Sequence, residues 1–159
     1  MKMSPEFAKA QANMQPGVIT SDGFLGDDTR PIVEIIAADE ETMGRFGIDF
    51  DDAIERMRYL MQQGRGGLGE PVTVDDAWIV QVYEARGFLA SPFEDGIYRK
   101  VNAQVTVKTE GSDAPQILFS ELSLHLMEKY HFLQGKGSSF RIEPERLKAV
   151  LYPAGKKAN

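Results

Sequence analysis

The chain reads as an α+β domain: an N-terminal αα-hairpin, a four-stranded antiparallel sheet and two C-terminal helices, with helices covering one sheet face. Three observations predict this. Apolar residues between Phe50 and Met61 recur at helical spacing. Residues 98–109 alternate apolar and polar at strand spacing. Helical and extended patterns occupy separate stretches of the chain. At 159 residues a single core is expected. We assign 16–152 to one globular domain and 153–159 to a mobile tail. Residues 1–15 read as a short leading helix or a mobile arm and are left out of the fold argument.

The first helix is expected from Pro31, because proline suits a first helical position and Asp28 and Thr29 precede it as capping candidates. Its apolar stripe, Ile32, Ile35, Ile36, Met43 and Phe46, is interrupted at Asp39 and Glu40. The second helix carries Phe50, Ala53, Ile54, Met57, Leu60 and Met61 on one face, with Asp49 as N-cap and Gly64 as its left-handed end. A glycine-rich joint, 64–71, then leads to Val72–Val74 and Trp78–Ala85. These are β-branched and aromatic runs that form a hairpin around Asp75 and Asp76.

In the long strand Tyr98–Thr109, Val101, Ala103, Val105 and Val107 face one way and polar residues the other, as in an antiparallel sheet with one solvated face. A turn at 109–116 returns the chain as a strand at Gln116–Phe119. Helix Glu121–Tyr130 follows, with Ser120 as cap, and a last helix starts near Pro144.

Composition narrows the function classes. The absence of cysteine removes disulfide frameworks, thiolate zinc sites and cysteine nucleophiles, and fits a cytoplasmic protein. No apolar run is long enough to span a bilayer, so no membrane association is expected. The formal net charge is −6, and residues 27–55 alone carry net −8, which repels nucleic acid.

Candidate chemistry concentrates in 118–151. Gly135, Lys136, Gly137, Ser138 and Ser139, followed by Arg141, combine permissive backbone, hydroxyl donors and cations, the ingredients of an anion pocket. His125 and His131 complete this set. The P-loop spacing is absent, which disfavours a nucleotide triphosphatase. The competing reading is a helix C-terminal turn closed by Gly135.

The two histidines lie six residues apart, about 120° around a regular helix, and cannot share one ion. Glu128 and His131 have Glu-x-x-His spacing, but no third histidine exists to complete a di-metal site. Glu121, His125 and Glu128 form a single stripe, which reads as a surface row with a Glu–His contact. No metal and no cofactor are expected. The connection 87–96 carries Phe88, Leu89 and Phe93, too apolar for a plain solvent loop. The three residues either fold over the core or contact a protein partner or second copy.

The expected function is therefore a cytoplasmic binding or protein-interaction domain without a catalytic signature. The alternative is a small enzyme or sensor that binds a phosphate- or carboxylate-bearing molecule at 135–141.

Overall fold

The computed structural model describes residues 3–109 and 113–153. Residues 110–112 of the expected turn, and the expected tail apart from Pro153, lie outside the described residues. The order is α1 (Pro5–Asn13), α2 (Ile32–Arg45), α3 (Phe50–Arg65), β1 (Val72–Val74), β2 (Trp78–Ala90), β3 (Ile97–Val107), β4 (Gln116–Ser120), α4 (Glu121–Tyr130) and α5 (Pro144–Leu151). The four strands form an antiparallel meander in sequence order, so the fold is α+β.

The main core forms because two one-sided elements cover each other. Ile54, Met57, Leu60 and Met61 of α3 meet Val80, Val82, Val101, Ala103 and Val105, joined by Phe119 and by Leu147 and Val150 of α5. Asp49 caps α3 through the Asp52 N–H at 3.2 Å. Gly64 does not end this helix, which runs on to Arg65. A Cβ there would come within 2.5 Å of Val80 Cγ1, so the glycine allows helix and sheet to approach closely. Asp75 and Asp76, both at positive φ, make the β1–β2 turn. The opposite sheet face is solvated and leaves Ile79, Tyr83 and Leu118 partly exposed.

The N-terminal segment is a helix and part of the structure. Ala10 and Met14 are buried in a second cluster with Phe24, Leu25, Ile32, Ile35, Leu122, Leu126 and Phe132. Gln11 also accepts the Ile32 N–H at 3.0 Å, satisfying a free donor at the start of α2. That start lacks a side-chain cap of its own, because Pro31, and neither Asp28 nor Thr29, occupies the N-cap; Asp28 is engaged by Arg30. α2 leans on α1 and α5, while α3 lies across the sheet.

β2 is longer than its sequence pattern indicates. Pairing with β3 resumes after an irregularity between Glu84 and Phe88 and continues to Ala90↔Ile97. Four residues on β2 span two on β3, so alternation parity is kept while the strand bends and twists. Leu89 and Tyr98, of solvent-face parity, pack on the second cluster. Phe88, Ala90, Ile97 and Arg99 carry core-face parity beyond the end of α3.

Candidate functional site

The glycine loop engages the chain's own carboxylates and carbonyls. Gly135 donates its N–H to Phe24 O, Asp27 donates to Lys136 O, and Lys136 donates its backbone N–H to Asp28 Oδ2 at 3.2 Å. Loops 24–28 and 133–138 therefore clasp backbone to backbone. A Cβ on Gly135 would lie 2.2 Å from Leu25 O, and one on Gly26 would lie 2.3 Å from Ser138 N. These glycines serve close packing. Nor does Gly135 close α4, which ends at Tyr130 with His131 as a left-handed cap.

Arg141 is likewise engaged within the chain. Its guanidinium holds Asp39 through two bonds of 2.5 and 2.9 Å, donates to Glu143 at 2.6 Å and reaches the Gln134 carbonyl. Both side chains of the Arg141–Asp39 pair are shielded, at 7% and 6% exposure. Burial opposes the charge on Arg141, but Asp39 and Glu143 outweigh it and raise its pKa. The expected ligand cation thus neutralises Asp39, the buried one of the two acids that interrupt the α2 stripe.

Ser138 and Ser139 face elsewhere. They line a small cleft of about 200 Å³ with Asn102, Ser120 and Leu89, and the Ser138 hydroxyl donates to Gln134 Oε1 at 2.7 Å.

The histidines separate, as their spacing implies, and each meets a carboxylate from a distant segment. His131 Nδ1 lies 2.7 Å from Glu40 Oε2, and its ring stacks on Phe50. His125 Nε2 lies 2.9 Å from Asp95 Oδ2 and its ring stacks on Tyr98, so the expected contact with its own helix's glutamates is replaced. Glu128 instead pairs with Arg58.

Asp95 Oδ2 also accepts from Tyr130 at 2.6 Å and Lys129 at 3.1 Å. Burial pushes the Asp95 carboxyl up. Ser91, Tyr130, Lys129 and the His125 charge prevail and hold it below the usual carboxylate range. Oδ1 is buried and lacks a partner in hydrogen-bond geometry, although Ser91 lies beside it. Among the described residues no hydroxyl bonds to the imidazole, so the pair lacks the nucleophile of a hydrolytic dyad. It ties the β2–β3 loop to α4. Among the described residues no group of three or more acids and histidines is placed to hold a metal ion.

The three apolar residues of 87–96 divide. Phe93 is 7% exposed and stacks on Tyr130 at 3.6 Å, and Leu89 packs on the second cluster, so neither belongs to a contact surface. Phe88 is 60% exposed. Beside it Ile97, which the sequence reading passed over, is 66% exposed. Its signal was present: it shares the parity of Val101, Ala103 and Val105 in the same strand.

Of the four basic candidates, Lys136 and Arg141 line one cleft of about 960 Å³. His125 lines a different cleft, with Tyr98 and Arg58. The larger cleft also gathers Arg30, Arg45 and Arg146, which no local motif marks. Comparison with protein-family models, with curated proteins and with solved structures finds no match for this chain. No helix among the described residues is long and apolar enough to cross a membrane.

Proposed function

We propose that this chain is a protein-binding module that docks through the far end of the β2–β3 hairpin. The observation that carries the reading is the paired exposure of Phe88 and Ile97, at 60% and 66%. They prolong the core face of the sheet past Arg65, the last residue of α3, whose guanidinium meets Glu84 there. A strand that is apolar on both faces is the pattern of a strand covered on both faces. Here Leu89 and Tyr98 have their cover within the chain, while Phe88, Ala90 and Ile97 do not.

Ile19 and Ala90 adjoin Ile97 in a shallow, mostly apolar depression. Arg99 stands across from Phe88 and pairs with Glu84, Arg86 lies in the irregular segment, and Glu94 lines the depression, so the rim carries both signs of charge. The partner this suits is a protein with an apolar strip and a mixed polar border. The lack of cysteine supports a reducing compartment, the cytoplasm, as the setting.

The test places a photo-crosslinking residue at Phe88 in the full chain inside its host, with Tyr59 as control position. A discrete protein adduct at 88, absent at 59 and lost with Ile97→Ser, is the expected result. Adducts equal at both positions, or indifferent to Ile97→Ser, would overturn the reading. Sedimentation of the pure chain then shows whether the partner is a second copy.

A further inference from the structure

A cleft of about 960 Å³ runs between α2, the start of β4 and the first turn of α5. Five basic side chains line it. Arg30 is held by both oxygens of Asp28, and Arg141 is held by Asp39 and Glu143. The other three, Arg45, Lys136 and Arg146, have no carboxylate partner among the described residues. Arg45 makes only a 3.3 Å bond to the Thr42 hydroxyl. Three cations from three separate segments thus open onto one volume. Two wall carboxylates, Asp113 and Glu145, are also unpaired among the described residues and offset part of this positive charge.

The α5 terminus adds donors of the same sign. Pro144 occupies the first helical turn, the N-cap Glu143 makes no side-chain cap, and the first helical bond is Leu147 N–H to Glu143 O. The Glu145 and Arg146 N–H groups therefore have no backbone acceptor, and both residues line the cleft. Ala38, Phe46 and Ala149 supply apolar wall. From Ala38 to Arg45 the helix advances about 10 Å, enough for an organic body with charged ends. The cleft volume, about 960 Å³, lies within the range of small-molecule sites.

We infer that this cleft binds a small, multiply charged anion, a phosphate ester or a polycarboxylate, through Arg45, Lys136, Arg146 and the first turn of α5. Arg141 and Asp39 form its floor and do not contact the charge. Gly135 and Gly137 pack against loop 24–28 and do not line the cleft. The site lies apart from the hairpin surface and stands independently of the docking reading.

The test is an amide-shift titration of the full chain with sodium pyrophosphate, and separately with citrate, at constant ionic strength. Acetate serves as the monovalent control. Saturable shifts at Lys136, Glu145 and Arg146 are expected with at least one probe and not with acetate, and the stronger probe identifies the ligand chemistry. Arg45→Ala/Arg146→Ala should weaken that binding by about tenfold or more, as loss of charge-assisted hydrogen bonds requires. Because neither side chain has an ion-pair partner, the double variant should melt with the parent. No saturable shift by about 10 mM of either probe, a range that would still register millimolar affinity, would overturn the inference. So would shifts confined to other residues, or unchanged affinity in the double variant.

Discussion

Arg141 grips Asp39 across 102 residues of sequence, with both carboxylate oxygens engaged and both side chains screened from water. Breaking a shielded pair from one side leaves an uncompensated charge. Arg141→Met should therefore destabilise the fold by about 3 kcal/mol, and Asp39→Leu by a comparable amount. The double substitution Asp39→Leu/Arg141→Met should cost clearly less than the sum. Urea unfolding of the four proteins measures this coupling. Additive losses would show that the pair does not act as a unit.

Two carboxylates predict acid lability. The Arg30 guanidinium and the Lys136 N–H hold Asp28, whose side chain is 3% exposed, well below the usual range. Asp95 is depressed by its hydrogen bonds against the push of burial. A native pKa below the unfolded value means that the unfolded chain takes up protons first. The stability these groups contribute is thus complete above about pH 4 and is lost as pH falls toward their native values. Denaturant unfolding at neutral pH and near pH 3 should show this loss, and Asp28→Asn should make it smaller. A variant with undiminished pH dependence would assign the lability to other groups.

Two glycines should respond oppositely to alanine. At Gly135 the added carbon meets Leu25 O at 2.2 Å, so the clasp must open. A cost of about 2 kcal/mol follows from such overpacking. At Gly44, in the last turn of α2, nothing lies within 4 Å. There alanine should stabilise by about 0.5 kcal/mol, through helix propensity and a less flexible unfolded chain. Thermal unfolding of the two variants gives the signs directly.

The apolar residues near the hairpin tip should separate in the same way. Phe93→Ser removes a ring stacked on Tyr130 and should cost about 3 kcal/mol. Phe88→Ser should stay within about 0.5 kcal/mol of the parent, since its ring meets solvent. A large loss at Phe88 would mean that its ring supports the fold, and would remove the basis of the docking surface.

Elements whose pattern is self-contained were legible. The α3 stripe and the β3 alternation each announce one apolar face, and the two faces meet as expected. α1 was not legible, because its buried contribution is Ala10 with the adjoining Met14, too sparse for a periodic signal. The glycine loop was located but its purpose was misread. Glycine is equally apt for approaching a ligand or another loop, and loop 24–28 lies more than 100 residues upstream. Asp39 was visible as a break in an apolar stripe, yet nothing nearby in sequence names Arg141 as its partner. Phe88, Leu89 and Phe93 could not be told apart in the sequence, because which of them is covered depends on the distant α1, α2 and α4 of the second cluster.

The clasp also governs when the molecule can finish assembling. Lys136 to Asp28 closes a separation of 108 residues, and the second cluster draws on both 10–36 and 122–132. During synthesis the first helices leave the ribosome long before their counterparts do. They have no stable place until residues 122–136 have emerged. Among the described residues, α3 with the β1–β3 meander is the part that can condense early. Residues 10–36, made before that part, settle after it.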